Sequence, residues 1–298
     1  MQYQVSTPSE LELSGLKPAS GFESSADPEL VSPDPDNPPW GLLAAFLTWI
    51  GSIFLLVLPV LFAVPYLVQH YRGSRPTAEL LYADKTYIII VMAGILPAHL
   101  ITLFLAWAVA TRRGKYPARK VLGWSWKPSF GLWQSVSLAI LLFLAAWIIT
   151  LTLGGQETEL ERIILSSRAA ALIIAFVAVA TAPLVEEVIY RGILFPALQR
   201  RVGAAAAVSI VTLLFAAPHV QQYWPNFAAI LSIALLSAVL TIVRARTGRL
   251  LPCFVIHLVF NGIQSLLIVF EPYLRAVLER SQPPAPAGAL IQIIRFLV

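Results

Sequence analysis

Seven apolar segments follow one another along the chain, and this succession limits the possible fold more than any other feature. They run Leu42 to Val68, Tyr87 to Ala110, Leu132 to Leu153, Ala169 to Leu198, Ala204 to His219, Phe227 to Val243 and Leu250 to Phe270. A helix needs about 20 apolar residues to cross the hydrocarbon core. The fifth and sixth segments are short, and the fourth is interrupted by charge. In lipid every backbone polar group must find a partner inside the structure, which leaves helices or closed barrels, and continuous runs of this length are helical. The expected fold is all-α, a polytopic transmembrane bundle of about seven to eight spanning helices. Composition agrees, with 58% hydrophobic and 12% charged residues, against about 25% charged in a soluble domain.

The net charge is +5, but the basic residues sit between apolar runs and not in one patch interleaved with aromatics. They read as membrane topology, and no nucleic-acid partner is expected. Placing the N-terminus in the cytoplasm brings Lys17, the six basic residues from Arg112 to Lys127, Arg191, Arg200, Arg201 and the three from Arg244 to Arg249 to that side, thirteen of 21. The expected location is the plasma (cytoplasmic) membrane, with the bilayer itself as a partner. No cleavable signal peptide is read at the N-terminus. Cys253 is the single cysteine, so an internal disulfide is excluded. Residues 1–40 hold seven acids against Lys17 and are rich in proline toward their end; they are expected to form a disordered acidic cytoplasmic tail. Residues 41–165 are the N-terminal spanning helices. Residues 273–298 form a C-terminal tail with an apolar end, expected to lie at the interface. Trp40, Trp49, Trp124, Trp126 and Trp133 lie near segment ends and are read as interfacial anchors.

The fourth segment contains Glu186-Glu187-Val188-Ile189-Tyr190-Arg191. A charge at bilayer depth costs roughly 2.5 to 3.5 kcal/mol on insertion scales, so two adjacent carboxylates there mark a functional site. On a regular helix Glu187 and Arg191 share a face in the favourable order and neutralise each other. Glu186 points about 100° away, with no cation at helical spacing. A carboxylate without a partner in apolar surroundings is suited to take up a proton.

The fifth segment ends in Phe215-Ala216-Ala217-Pro218-His219, and the turn before it falls near Val202-Gly203. Glu186 lies 17 residues before Gly203 and His219 lies 16 after it, so an antiparallel hairpin brings the two to similar depth. The last segment carries His257 and Asn261, four apart on one face, both suitable donors to a developing oxyanion. His99, beside Pro97, reads as a hydrogen-bonding partner within the bundle. Glu186, His219 and His257 also make a conceivable three-ligand zinc set, but no His-Glu-x-x-His spacing is present, and no metal or other cofactor is expected.

These motifs resemble those of the CPBP family of intramembrane proteases, named for CAAX prenyl endopeptidases and bacteriocin-processing proteins and also called Abi. Its pattern is Glu-Glu-x-x-x-Arg, Phe-x-x-x-His and His-x-x-x-Asn, met here by Glu186, Glu187 and Arg191, by Phe215 and His219, and by His257 and Asn261. The resemblance implies a catalytic membrane domain over residues 166–272 and a glutamate-dependent endopeptidase acting on a membrane-associated or lipid-modified peptide. It makes Glu186 the base that activates water with His219, makes His257 and Asn261 the oxyanion hole, and leaves Glu187, Arg191 and Phe215 in support. Two other classes compete: a non-catalytic scaffold or immunity-type membrane protein of the same fold, and a transporter using Glu186 and the histidines as a proton relay. No inverted repeat favours the transporter.

Overall fold

The computed structural model describes residues 33–281; residues 1–32 and 282–298, which include most of the acidic tail and the apolar C-terminal run, lie outside it. Among the described residues the chain is all-helical, and seven helices are long and apolar enough to cross a membrane. The first span, Leu42–Tyr71, consists of α1 (Leu42–Leu55) and α2 (Leu58–Tyr71), separated just before Pro59. A proline ring lacks the backbone N–H and clashes with the preceding turn, so the ladder breaks there. A short α3 (Ala78–Ala83) leads into α4 (Lys85–Ala110), whose N-terminus is capped by Asp84 accepting from the amides of Thr86 and Tyr87. Such a cap satisfies donors that a helix start leaves free. After α5 (Ala118–Val121) come α6 (Leu132–Leu153) and the short amphipathic α7 (Glu159–Ser166).

The fourth span, Arg168–Val202, is built from four pieces: α8 (Arg168–Ala180), α9 (Ala182–Glu186), a π-helical stretch over Glu187–Leu194, and α10 (Phe195–Val202). A regular helix was expected through the acidic motif, and the structure differs. Pro183 removes one donor and Pro196 another, so the chain cannot keep an unbroken i→i−4 ladder. π-Stretches inside helices gather at functional sites. Gly203 closes α10 at φ +80°, the left-handed side that glycine adopts without cost. It is the turn expected from the sequence, and α11 (Ala204–Tyr223) returns directly from it. Then α12 (Phe227–Thr247) and α13 (Leu251–Ser281) complete the bundle. The last helix thus runs past residue 272, where the tail was expected to begin.

Residues 33–40, assigned from composition to the disordered tail, are held against the bundle. The Asp36 carboxylate pairs with Arg244 at 2.9 Å, and the same guanidinium donates to the Pro35 carbonyl at 2.6 Å. Arg112 donates to the Pro39 carbonyl, Arg200 to the Trp40 carbonyl and to Asn37. Trp40 is no interfacial anchor: it is buried and its indole N–H donates to the Ile193 carbonyl within the π-stretch at 3.0 Å. The physical reason is that a proline-rich segment cannot form a helical ladder: residues 34–37 close a local turn on the Asp34 carboxylate, and the carbonyls of Pro35, Pro39 and Trp40 are left over. Its carbonyls are therefore free to accept from three arginines that composition alone counts only as loop charge.

Arg244 is fully buried while Asp36 is half-exposed. Asp36→Ala leaves that guanidinium with the Pro35 carbonyl as its remaining strap contact, and hydrogen bonds to charged groups are worth about 1.5 to 3 kcal/mol. Purified Asp36→Ala is expected to unfold at a lower temperature in detergent by an amount matching that loss, and an unchanged midpoint would mean that the strap is not anchored through this pair.

Candidate active site

The broken fourth span frees backbone carbonyls, and the residues singled out by the sequence meet at them. The Ala178 carbonyl, at the interruption ahead of Pro183, accepts from the Asn261 side-chain amide at 3.0 Å. Pro218 leaves the Leu214 carbonyl without its helical donor, and the Tyr190 hydroxyl donates to it at 3.4 Å. Nearby, the His99 Nδ1 and the Thr181 hydroxyl lie 2.8 Å apart, the partnership within the bundle expected of His99. Non-helical backbone at membrane depth persists where neighbouring groups satisfy it in this way.

The two adjacent glutamates occupy different environments. Glu187 is completely buried, and its Oε1 accepts from Arg191 at 2.9 Å and from the His257 Nδ1 at 2.8 Å. Arg191 is equally buried and is held from α12 as well: its Nε donates to the Thr241 hydroxyl at 3.2 Å and its Nη2 to the Ser237 hydroxyl and carbonyl at 2.8 and 3.0 Å. The Phe215 ring lies 4.6 Å from the guanidinium carbon, a cation–π contact that compensates for lost water. Glu186, in contrast, has a side chain 26% exposed and faces the other side of His257, whose Nε2 is 3.6 Å from its Oε2. Arg191, Glu187, His257 and Glu186 thus form one row in that order.

Histidine tautomers follow from the acceptors they face. The His219 Nδ1 lies 2.8 Å from the Phe215 carbonyl, which can only accept, so that nitrogen carries the proton and the neutral ring keeps a lone pair on Nε2. The His257 Nδ1 likewise faces the Glu187 Oε1, which also accepts from Arg191, so that nitrogen donates. The Asn261 amide has two N–H groups and spends one on the Ala178 carbonyl, leaving the other for the space in front of it.

That space is a cavity of about 300 Å³, bordered by Glu186, His219, His257, Asn261 and Phe215 together. Arg191 and Glu187 lie behind it, in packed protein. Among the described residues no three His, Cys, Asp or Glu side chains converge as metal ligands do, so Glu186, His219 and His257 are not assembled as a zinc set. Sequence reasoning missed Ser237 and Thr241, although they are a polar pair four apart on an apolar helix, the same signal that picked out His257 and Asn261. It also took Glu187 as the partner of Arg191 alone, because nothing in a sequence relates residue 187 to residue 257.

Neither a curated protein nor a solved structure matches the chain. Residues 168–263 match the family model described as type II CAAX prenyl endopeptidase Rce1-like. The match ends two residues beyond Asn261 and includes every member of the cluster. The segment from α8 into α13 is therefore an Rce1-like domain of the type II CAAX prenyl endopeptidase family, a family of proteases.

Proposed function

We propose that the chain is a membrane-embedded endopeptidase that hydrolyses a peptide bond of a membrane-associated or lipid-modified substrate with water activated by Glu186. The observation that supports this best is the contrast between the neighbouring carboxylates: Glu186 borders the cavity and is open to water, while Glu187 is sealed behind it. In this mechanism a water held between Glu186 and the free Nε2 of His219 gives up a proton to the carboxylate as its oxygen attacks the scissile carbonyl carbon. Negative charge develops on the carbonyl oxygen. The second Asn261 N–H and the His257 Nε2–H donate to it, which requires His257 to hold a proton on each nitrogen. In the row Arg191, Glu187, His257 and Glu186 the imidazole stands between the two carboxylates, with its Nδ1 on Glu187 and its Nε2 toward the cavity side. Collapse of the tetrahedral intermediate breaks the C–N bond, and the proton on Glu186 passes to the departing amine.

The test is incubation of the detergent-purified protein with membrane-derived and farnesylated peptides, with mass spectrometry of the products. Internal cleavage at a defined bond is expected, and activity should persist in the presence of a strong zinc chelator. Loss of cleavage on chelation, restored by zinc alone, would overturn the metal-free mechanism. A chain that cleaves nothing in the panel yet binds one of its peptides would favour the scaffold reading.

A further inference from the structure

We propose that the strap is a working part of the catalytic centre, in which Trp40 acts as a positioning residue: through the Ile193 carbonyl it fixes the π-stretch that carries Glu187 and directly follows Glu186. The inference rests on the proteolytic reading of the cavity and adds to it a residue outside the segment that matches the family. The starting point is the geometry of the wide turn. In a π-stretch each N–H reaches back five residues, as that of Phe195 does to the Tyr190 carbonyl, and such stretches occur as short interruptions inside α-helices. Relaxing this one to the α pattern takes one residue out of the winding. The helix before it then rotates by about 100° against the helix after it. At the near side of the joint stand Glu186 and Glu187, aimed at His257. At the far side α10 runs through Gly203 into α11, which brings His219 to the same cavity. The wide turn therefore sets the angle between the proton acceptor and the histidine beside it.

The strap meets this joint at its far end and holds it twice. Trp40 is buried in the same apolar core as Val185, Ile189 and Ile193, and its indole N–H donates to the Ile193 carbonyl at 3.0 Å across 153 residues of sequence. Two residues on, where the π pattern ends, the Phe195 ring centre lies 5.7 Å from the guanidinium carbon of Arg244. Arg244 is the residue that the strap grips through Asp36 and the Pro35 carbonyl. The same face of α12 carries Ser237 and Thr241, which hold Arg191, so one helix fastens both the strap and the guanidinium that faces Glu187. The indole is itself held in place: Arg200 donates to the Trp40 carbonyl at 2.6 Å and Arg112 to that of Pro39 at 2.9 Å. The surface beneath is shaped to the strap, since a Cβ on Gly123 would lie 2.9 Å from the Pro35 ring and one on Gly248 2.8 Å from the Asp36 carboxylate. Covering the end of the bundle calls for an apolar ring alone. A directed N–H on a π-stretch carbonyl ties that ring to the catalytic joint, where a shift of about 1 Å costs about 10²-fold in rate even when its cause is remote.

The experiment uses the full chain in detergent with Trp40→Phe, which keeps a buried ring and removes the N–H. With a peptide that the unaltered chain cleaves, kcat per folded molecule, taken well below both unfolding midpoints, is expected to fall about 10 to 10²-fold while KM changes by less than about twofold. Hydrogen exchange read by mass spectrometry is the second measurement: amides over residues 187–195 are expected to exchange about tenfold faster, with those of α6 unchanged. An unchanged kcat with only a lower midpoint would make the strap a clamp on the fold and overturn the proposal. So would exchange that stays the same in the π-stretch or quickens evenly through the bundle. Exchange needs no substrate, so it decides the link from Trp40 to the π-stretch even if the unaltered chain cleaves nothing, which is a failure of the proteolytic reading alone. Where Trp40→Phe is recovered poorly, Arg200→Ala takes its place, because Arg200 is exposed and its loss frees the Trp40 carbonyl without emptying the core. A kcat lower by about threefold or more at unchanged KM is then expected, with faster exchange over residues 187–195. No change in either would overturn the proposal.

Discussion

Glu186→Gln is expected to abolish measurable peptide cleavage, a fall of about 10² to 10⁴-fold for loss of a general base and more where the step depends on it wholly, while yield and thermal unfolding in detergent stay at the level of the unaltered chain. The amide keeps the volume and one acceptor oxygen but takes up no proton at neutral pH. Stability should be spared because Glu186 spends little on structure: its side chain is partly exposed and its nearest charged neighbour, the His257 Nε2, is 3.6 Å away, beyond a normal hydrogen bond. Folding therefore has few bonds to lose there, whereas the reaction loses its proton acceptor. His219→Gln should lie between the two, since it removes the free Nε2 beside the water but leaves the carboxylate in place. Full activity in Glu186→Gln would sink the glutamate mechanism.

The parts of this site that were legible in the sequence are those governed by helical spacing and by turn chemistry. Gly203 marked the hairpin, the residue counts on either side of it put Glu186 and His219 at one depth, and polar residues four apart drew attention to His257 and Asn261. Those four, Glu186, His219, His257 and Asn261, border one cavity. What escaped was set by contacts between distant segments or by departures from regular geometry. The π-stretch over Glu187–Leu194 follows from prolines on both sides acting together with packing, and no single residue announces it. The strap was hidden because proline and acid content speak for an unstructured chain, while its anchors, Arg112, Arg200 and Arg244, belong to loops and helix ends up to 209 residues away. The length of the fourth span was likewise underestimated at its C-terminal end, where α10 carries Arg200 and Arg201 on a helix that buries its other face.

Glu187→Gln should behave in the opposite way to its neighbour, with the main loss in folded protein. The carboxylate accepts at one oxygen from both Arg191 and His257, and all three side chains are buried. A neutral amide can still turn its oxygen to both partners, but it carries no charge, and its NH2 group takes the place of the buried Oε2, which has no hydrogen-bond partner among the described residues. Arg191 is then a buried cation without a counter-charge, and breaking such a pair typically costs about 3 to 5 kcal/mol. That is a large share of the 5 to 15 kcal/mol by which a folded chain of ordinary stability exceeds its unfolded state. Yield and the unfolding midpoint are expected to drop markedly. Combining Glu187→Gln with Arg191→Leu removes the stranded charge and should recover part of the lost stability, although Ser237 and Thr241 then lose the guanidinium that satisfies them. The double variant should nevertheless remain slow in cleavage, because His257 no longer has the carboxylate that accepts from its Nδ1 and fixes its tautomer. Recovery of stability without recovery of turnover is thus the expected signature of a residue that positions His257 and neutralises Arg191 at once. Equal loss of turnover from Glu186→Gln and Glu187→Gln at normal abundance would overturn this division of roles.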